Sequence, residues 1–174
     1  MPRRLSLALL AVLFPLAVPG AQVISDEYRV KAAYLYNFVR YVEWLEPVKA
    51  PLTICVAGQN PFGTVLEDLV RNERVRGIPL RTEVVPGPVD ECNVIFTPRT
   101  SNVQAYLKAV AGTPTLTVGE SKGFIDQGGL INFVLDHGNV RFEINRSGAE
   151  RAGLRISSRL LQLARLVEPG VEEP

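Results

Sequence analysis

A paired glycine ahead of an apolar run, Gly128-Gly129-Leu130-Ile131-Asn132-Phe133, is the first place in this chain where chemistry could sit. Glycine turns that open onto helices cradle phosphates with backbone amides. The same turn can equally be the tight entry to a buried strand. A second glycine turn, Gly58 to Gly63, follows an apolar run and leads into a helical pattern, where open α/β folds place phosphates. It has no lysine-serine pair and no third glycine, and Pro61 removes one amide, so as a nucleotide site it is weak. His137 is the single histidine and falls in a turn pattern, so it carries little weight as base or ligand. Glu67 and Asp68 are adjacent and diverge on a helix, while Asp90 and Glu91 lie in a proline-bounded loop. Glu143 alternates with Phe142 and Ile144 and would face a buried arginine such as Arg155, or water. Arg141 and Arg155 are the arginines most suited to a salt bridge or an anion. A hydrolase built on Glu120, Glu143 or His137 is the enzymatic reading, and no nucleophile elbow or zinc spacing supports it. No cofactor or metal motif is present, and the expectation is a protein that is not an enzyme.

The elements that must position these residues follow from patterning. The first residues carry Arg3 and Arg4, then Leu5 to Val18 interrupted only by Ser6 and Pro15, then small residues at Gly20 and Ala21. That is the layout of a secretory signal peptide over residues 1–21, cleaved after Gly20 or Ala21; a spanning helix needs roughly 20 apolar residues. The mature chain, 22–174, is then expected in the periplasm as a single domain. Of the whole chain, 47% is apolar and 21% charged, and the formal net charge is +1, so no basic patch argues for nucleic acid. The two cysteines, Cys55 and Cys92, are expected to be bridged in an oxidising compartment. Two buried thiols or half a metal site are the alternatives.

Ser25 or Asp26 caps an expected helix running through Tyr28, Tyr34, Phe38, Tyr41 and Trp44. Leu35, Val39 and Val42 widen its apolar arc, which fits a helix buried on most sides or one shared between the core and a partner subunit. Apolar runs predict strands at Leu52 to Ala57, Leu80 to Val85, Asn93 to Thr97 and Thr115 to Val118. Short helices are expected at Thr64 to Val70, Asn102 to Val110 and Arg146 to Ala152, with one helical turn at Ser121 to Gln127. Leu130 to Leu135 and Val140 to Ile144 read as a hairpin turning at Asp136 to Asn139. Ser157 and Ser158 start a final helix with Ile156, Leu160, Leu163 and Val167 on one side, and the acidic tail from Pro169 is expected to fray. The result is a layered α/β/α domain with a mostly parallel sheet and a C-terminal β-hairpin. A disulfide would make its strands neighbours, as in a flavodoxin-like order with the first strand beside the third. Within the paired-glycine strand, Asn132 calls for a hydrogen bond, expected from a neighbouring loop.

The residues also resemble a known family. Lys31-Ala32-Ala33-Tyr34-Leu35-Tyr36-Asn37-Phe38, Tyr41-Val42-Glu43-Trp44, Ile54-Cys55-Val56 and Asn60-Pro61-Phe62-Gly63 open the match. Cys92-Asn93-Val94-Ile95-Phe96, Leu116-Thr117-Val118, the paired-glycine strand, Arg141-Phe142-Glu143-Ile144-Asn145 and Ala152 to Leu161 complete it in order. Together they resemble the YfiR-like family of periplasmic regulatory proteins. The resemblance implies a dimeric, non-catalytic repressor of an inner-membrane diguanylate cyclase, acting in cyclic-di-GMP signalling by binding the cyclase's periplasmic sensor region. It implies relief by an outer-membrane lipoprotein that sequesters the repressor, and a structural disulfide between Cys55 and Cys92. This chain lacks a second cysteine pair carried by some members. It also has Asn60 where aspartate is common and Leu45 where a proline often follows the tryptophan. Surface complementarity would do the work, with Tyr36, Arg40 and Trp44 of the aromatic helix, and the final helix, as candidate partner contacts. The alternative is a periplasmic small-molecule-binding module feeding a sensor, its pocket near Asn60 to Gly63 and Gly119.

Overall fold

The computed structural model describes residues 24–170 except residue 90. The expected signal peptide, Asp90 and the last four residues lie outside the described part. The first helix, α1 (Asp26–Tyr41), buries Ala32, Leu35, Phe38 and Val39 on one stripe. The chain then enters β1 (Val42–Trp44), β2 (Leu52–Ala57), α2 (Val65–Val70), β3 (Arg74–Val75) and β4 (Ile78–Val85). It continues through β5 (Val94–Thr97), α3 (Val103–Ala109), β6 (Leu116–Gly119), β7 (Ile131–Asp136) and β8 (Asn139–Ile144). The last elements are α4 (Arg146–Arg151), β9 (Leu154–Ile156), α5 (Ser158–Leu161) and β10 (Arg165–Leu166).

The main sheet runs β10-β8-β7-β6-β5-β2-β4-β3. From β4 through β7 every pairing is parallel, while β7 and β8 form the expected antiparallel hairpin. β2 lies between β4 and β5, so the first long parallel strand lies beside the third, as a flavodoxin-like order requires. The completely buried run Leu52–Ala57 is what a central parallel strand with both faces covered looks like. Side chains alternate across it: Ile54 and Val56 join the α1 core, while Cys55 and Ala57 pack with Ile95 and Tyr106 of α3. Cys55 and Cys92 are joined by a disulfide, Cα atoms 5.8 Å apart, on the α3 face. Helices therefore lie on both faces, and the α/β/α layering stands.

Under α1, Phe38 lies against Phe133 and Phe142, with ring centroids 5.6 and 5.1 Å apart, and Tyr34 meets Phe142 at 5.1 Å. Asn102 and Asn145 cap α3 and α4 through Ala105 and Gly148 backbone amides. At the hairpin, His137 and Gly138 both take positive φ, the pair of left-handed residues a tight two-residue turn needs. Arg76 and Gly77 do the same between β3 and β4, making a second hairpin.

Two local expectations fail. The first helix stops at Tyr41, and Val42–Trp44 is a strand paired antiparallel with β9, with Glu43 outward between buried Val42 and Trp44. Three residues of period-two burial are hidden inside a helix-like apolar run. The final helix is one turn, after which Arg165–Leu166 pairs parallel with β8. Leu163, expected on its apolar side, is exposed. The helical turn expected at Ser121 to Gln127 is there as consecutive turns, with Phe124 N–H donating to Ser121 O and Gln127 N–H to Gly123 O.

Candidate functional site

The inner stripe of α1 carries a cation. Lys31 follows Tyr28 by three residues and precedes Leu35 by four, so helical geometry turns it toward the sheet, where it is 1% exposed. Glu120 follows directly on β6, and Arg99 follows β5, so both arise at the carboxyl edge of the parallel strands. Lys31 Nζ donates to Glu120 Oε2 and to Glu27 Oε1. Tyr28 OH donates to Glu120 Oε1 at 2.9 Å, and Arg99 N–H donates to the same oxygen at 3.1 Å. Arg99 Nε reaches Glu120 O at 3.3 Å, and its guanidinium lies 3.4 Å from Glu27. Lys31 Nζ also sits 4.8 Å from the centre of the Tyr28 ring. Burial, and then the hydrogen bond to Glu120, holds the Tyr28 phenol well above the ordinary tyrosine range.

Both Glu120 oxygens are thus engaged by fixed donors. This cluster pins the start of α1 to the sheet and offers no free base. Lys31 could have been flagged in the sequence, because a lysine inside an apolar helical stripe must find a partner.

Beside it opens a cleft of about 1040 Å³ on the face of β7, β8 and β10 away from α1. Asn132, Val134, Glu143 and Arg165 line the sheet side, and the turn from Ser121 to Asp126 forms a wall. Asn132 lies opposite Glu143 in the register. Its Nδ2 donates to Glu143 Oε2 at 3.4 Å, and its Oδ1 has no partner. The expected loop bond is therefore replaced by one to the paired strand. Glu143 is bound by Arg165 and not by Arg155, which instead meets Glu43 across β1 and β9 at 3.2 Å. Arg141 is exposed on β8. Glu120 and Glu143 do border one cleft, but His137 is 95% exposed at the hairpin tip, 3.7 Å from Asp136, so the three hydrolase candidates do not converge.

At the other expected pocket the turn is closed by its own bonds, and the cleft of about 450 Å³ that Asn60 and Gly63 border opens between α2 and β4 and does not reach Gly119. Asn60 Oδ1 accepts the Phe62 N–H at 2.9 Å and its Nδ2 donates to Gly63 O at 2.8 Å, so the Gly58 to Gly63 turn uses its own amides. Gly119 lies under the ring of Phe124, which leaves no space there. Gly128 takes φ +96°, whereas Gly129 is required by close approach: a Cβ there would meet the Phe124 ring and, at 2.7 Å, the Phe124 carbonyl. Among the described residues no group of three or more His, Cys, Asp or Glu stands placed to hold a metal ion.

The three candidate contact residues separate. Tyr36 OH donates to Glu73 Oε2 at 2.7 Å, and that bond raises the phenol's pKa. The Arg40 guanidinium lies 5.5 Å from the Tyr36 ring centre on the outer side of α1. Trp44 is 8% exposed in β1, its indole N–H donated to Pro114 O at 2.8 Å. It belongs to the core, because the strand's alternation turns it inward, and it is not part of an outward patch.

These elements define a doubly wound α/β domain with its charged cluster at the carboxyl edge of the sheet. Residues 28–165 match the model of the YfiR/HmsC-like family, and the chain belongs to that family. No curated protein matches it. A crystal structure of a conserved domain protein from Vibrio cholerae O1 biovar El Tor str. N16961 is similar, with a TM-score of 0.51 at 14% identity. The likeness covers 80% of this chain and 59% of that one, so the chain spans little more than half that protein's length and shares with it the fold alone. No helix among the described residues is long and apolar enough to cross a membrane.

Proposed function

We propose that the protein is a periplasmic, non-catalytic regulator in cyclic-di-GMP signalling that binds and represses an inner-membrane sensor, a diguanylate cyclase. Family membership over residues 28–165 is the observation that carries this reading. The outer side of α1 supports it. Tyr36 and Arg40 are held in place by Glu73 and by each other, and a pre-ordered tyrosine-arginine pair loses little freedom on docking. The saturated carboxylate of Glu120 fits a role in binding better than one in catalysis. The regulator is a homodimer, and an outer-membrane lipoprotein competes for it.

Affinity capture from detergent-solubilised envelopes tests the reading. The tagged protein is expected to retain an inner-membrane sensor, and deletion of its gene is expected to raise cellular cyclic-di-GMP. Arg40→Ala should weaken capture by about 30-fold, the loss typical of an interface anchor, without shifting the melting temperature. Retention of no membrane sensor, together with unchanged cyclic-di-GMP on deletion, refutes it.

A further inference from the structure

We propose that the outward face of α1 is the surface on which two copies of this chain pair, with the two helices antiparallel and crossing at Ala33. Asp26, Ala33 and Arg40 are spaced by seven residues, so they fall in one line along the helix, and all three are exposed. Arg29 and Val30 flank that line on one side of Ala33, and Tyr36 and Asn37 flank it on the other. Val30 is 42% exposed, although the opposite stripe of the same helix already fills the core. The outward face thus carries an apolar and an aromatic side chain around a small central residue, with opposite charges at its two ends. Alanine at the centre lets a second helix approach closely.

The charges decide what covers this face. Among the described residues the side chains of Asp26 and Arg29 have no hydrogen-bond or ion-pair partner, and Arg40 has only the Tyr36 ring. An antiparallel second copy sets Asp26 against Arg40 at both ends, because each stands seven residues, about 10 Å, from Ala33. It also sets Val30 against Tyr36 and Arg29 against Asn37. A parallel copy would set Asp26 against Asp26 and Arg40 against Arg40, and like charges repel. A uniformly acidic partner would suit Arg29 and Arg40 but repel Asp26. The helix dipoles agree with the antiparallel pair, which places each pole beside its opposite. Tyr36 and Arg40 are also the anchors proposed above for the membrane sensor. On that reading the free regulator is the dimer and the sensor takes the place of the second copy; the pairing itself does not depend on it.

Sedimentation of the purified protein over a concentration series at low ionic strength tests the pairing. The parent is expected to dimerise. Asp26→Arg and Arg40→Asp each turn both end pairs into like-charge pairs, and each should weaken the dimer by at least about tenfold. Combined in one chain, the two changes restore opposite charges, and the dimer should return to near parental strength. The two single variants, mixed, should form a heterodimer tighter than either forms alone. Ala33→Arg, at the crossing, should leave a monomer of unchanged helix content by circular dichroism. A parent that stays monomeric at every concentration, single variants that dimerise like the parent, or a double variant no tighter than the singles overturns the proposal. Asp26→Arg keeps Tyr36 and Arg40, so in envelope capture it should retain the sensor at least as well as the parent. Loss of retention in that variant alone overturns the exchange of second copy for sensor. No retention by the parent either refutes the sensor reading and leaves the pairing standing.

Discussion

Two glycine-bearing turns leave the carboxyl edge of the parallel sheet, and they are closed by different means. After β2, the Gly58 to Gly63 turn is closed by Asn60, which binds the Phe62 amide and the Gly63 carbonyl, while Phe62 packs on Phe96 with ring centroids 5.0 Å apart. After β6, the turn from Gly119 to Gly129 is closed by Phe124, whose ring lies against both glycines. The first is held by polar bonds within the turn. The second is held by packing, and its polar groups look elsewhere: Glu120 inward to Lys31, and Asn132 across to Glu143, with its Oδ1 buried and unpartnered. Glycine at the end of a parallel strand therefore marks close packing here as readily as phosphate binding. What separates the two is whether the neighbouring polar groups are used up.

The largest test of that contrast is Lys31→Met. It leaves Glu120 buried without its cation and should cost about 3–5 kcal/mol in denaturant unfolding. The double variant Lys31→Met with Glu120→Leu should recover most of the loss, and an equal loss in the double variant would show that the ion pair is not what matters. A smaller difference separates the glycines. Gly129→Ala should cost about 1–3 kcal/mol, because Phe124 and its carbonyl are rigid neighbours. Gly63→Ala should cost about 1 kcal/mol, from its positive φ, since the Ile24 side chain 2.7 Å from the added Cβ can swing aside. Equal costs would erase the distinction between the two turns. The smallest effect concerns pH. The folded protein holds the Tyr28 proton more tightly than the unfolded chain does, so this contribution is intact below the unfolded value of about 10 and is lost as pH rises beyond it. Tyr28→Phe should therefore flatten the fall in urea midpoint above about pH 10. A fall as steep as in the parent would sever Tyr28 from the network.

The sheet was legible because its strands are continuous apolar runs punctuated by turns. Even the neighbouring positions of β2 and β5 followed from supposing a Cys55–Cys92 bridge. The hairpin was legible for the same reason, with alternation on both arms and Asp136 to Asn139 between them. β1 was not, since Val42 to Trp44 extends the apolar pattern of α1 and only its distant partner β9 makes it a strand. β10 failed likewise, because two residues after a helical turn have no period to read. In the cleft, Glu143 and Asn132 were each noticed, but their pairing depends on the β7–β8 register, and Arg165 reaches Glu143 only through the unforeseen β10. Trp44 misled because aromatic content says nothing of direction until the element is known.

The pairing of β1 with β9 sets an order of events during synthesis. Glu43 and Arg155 face each other across 112 residues of chain. At about 5–20 residues per second, the amino-terminal segment waits roughly 5–20 s after emerging before its partner strand exists. Until then β1 has no partner and Phe38 lacks Phe133 and Phe142, while Tyr28 can already meet Phe62. β1, which is made early, is thus among the last strands of the fold to find its partner.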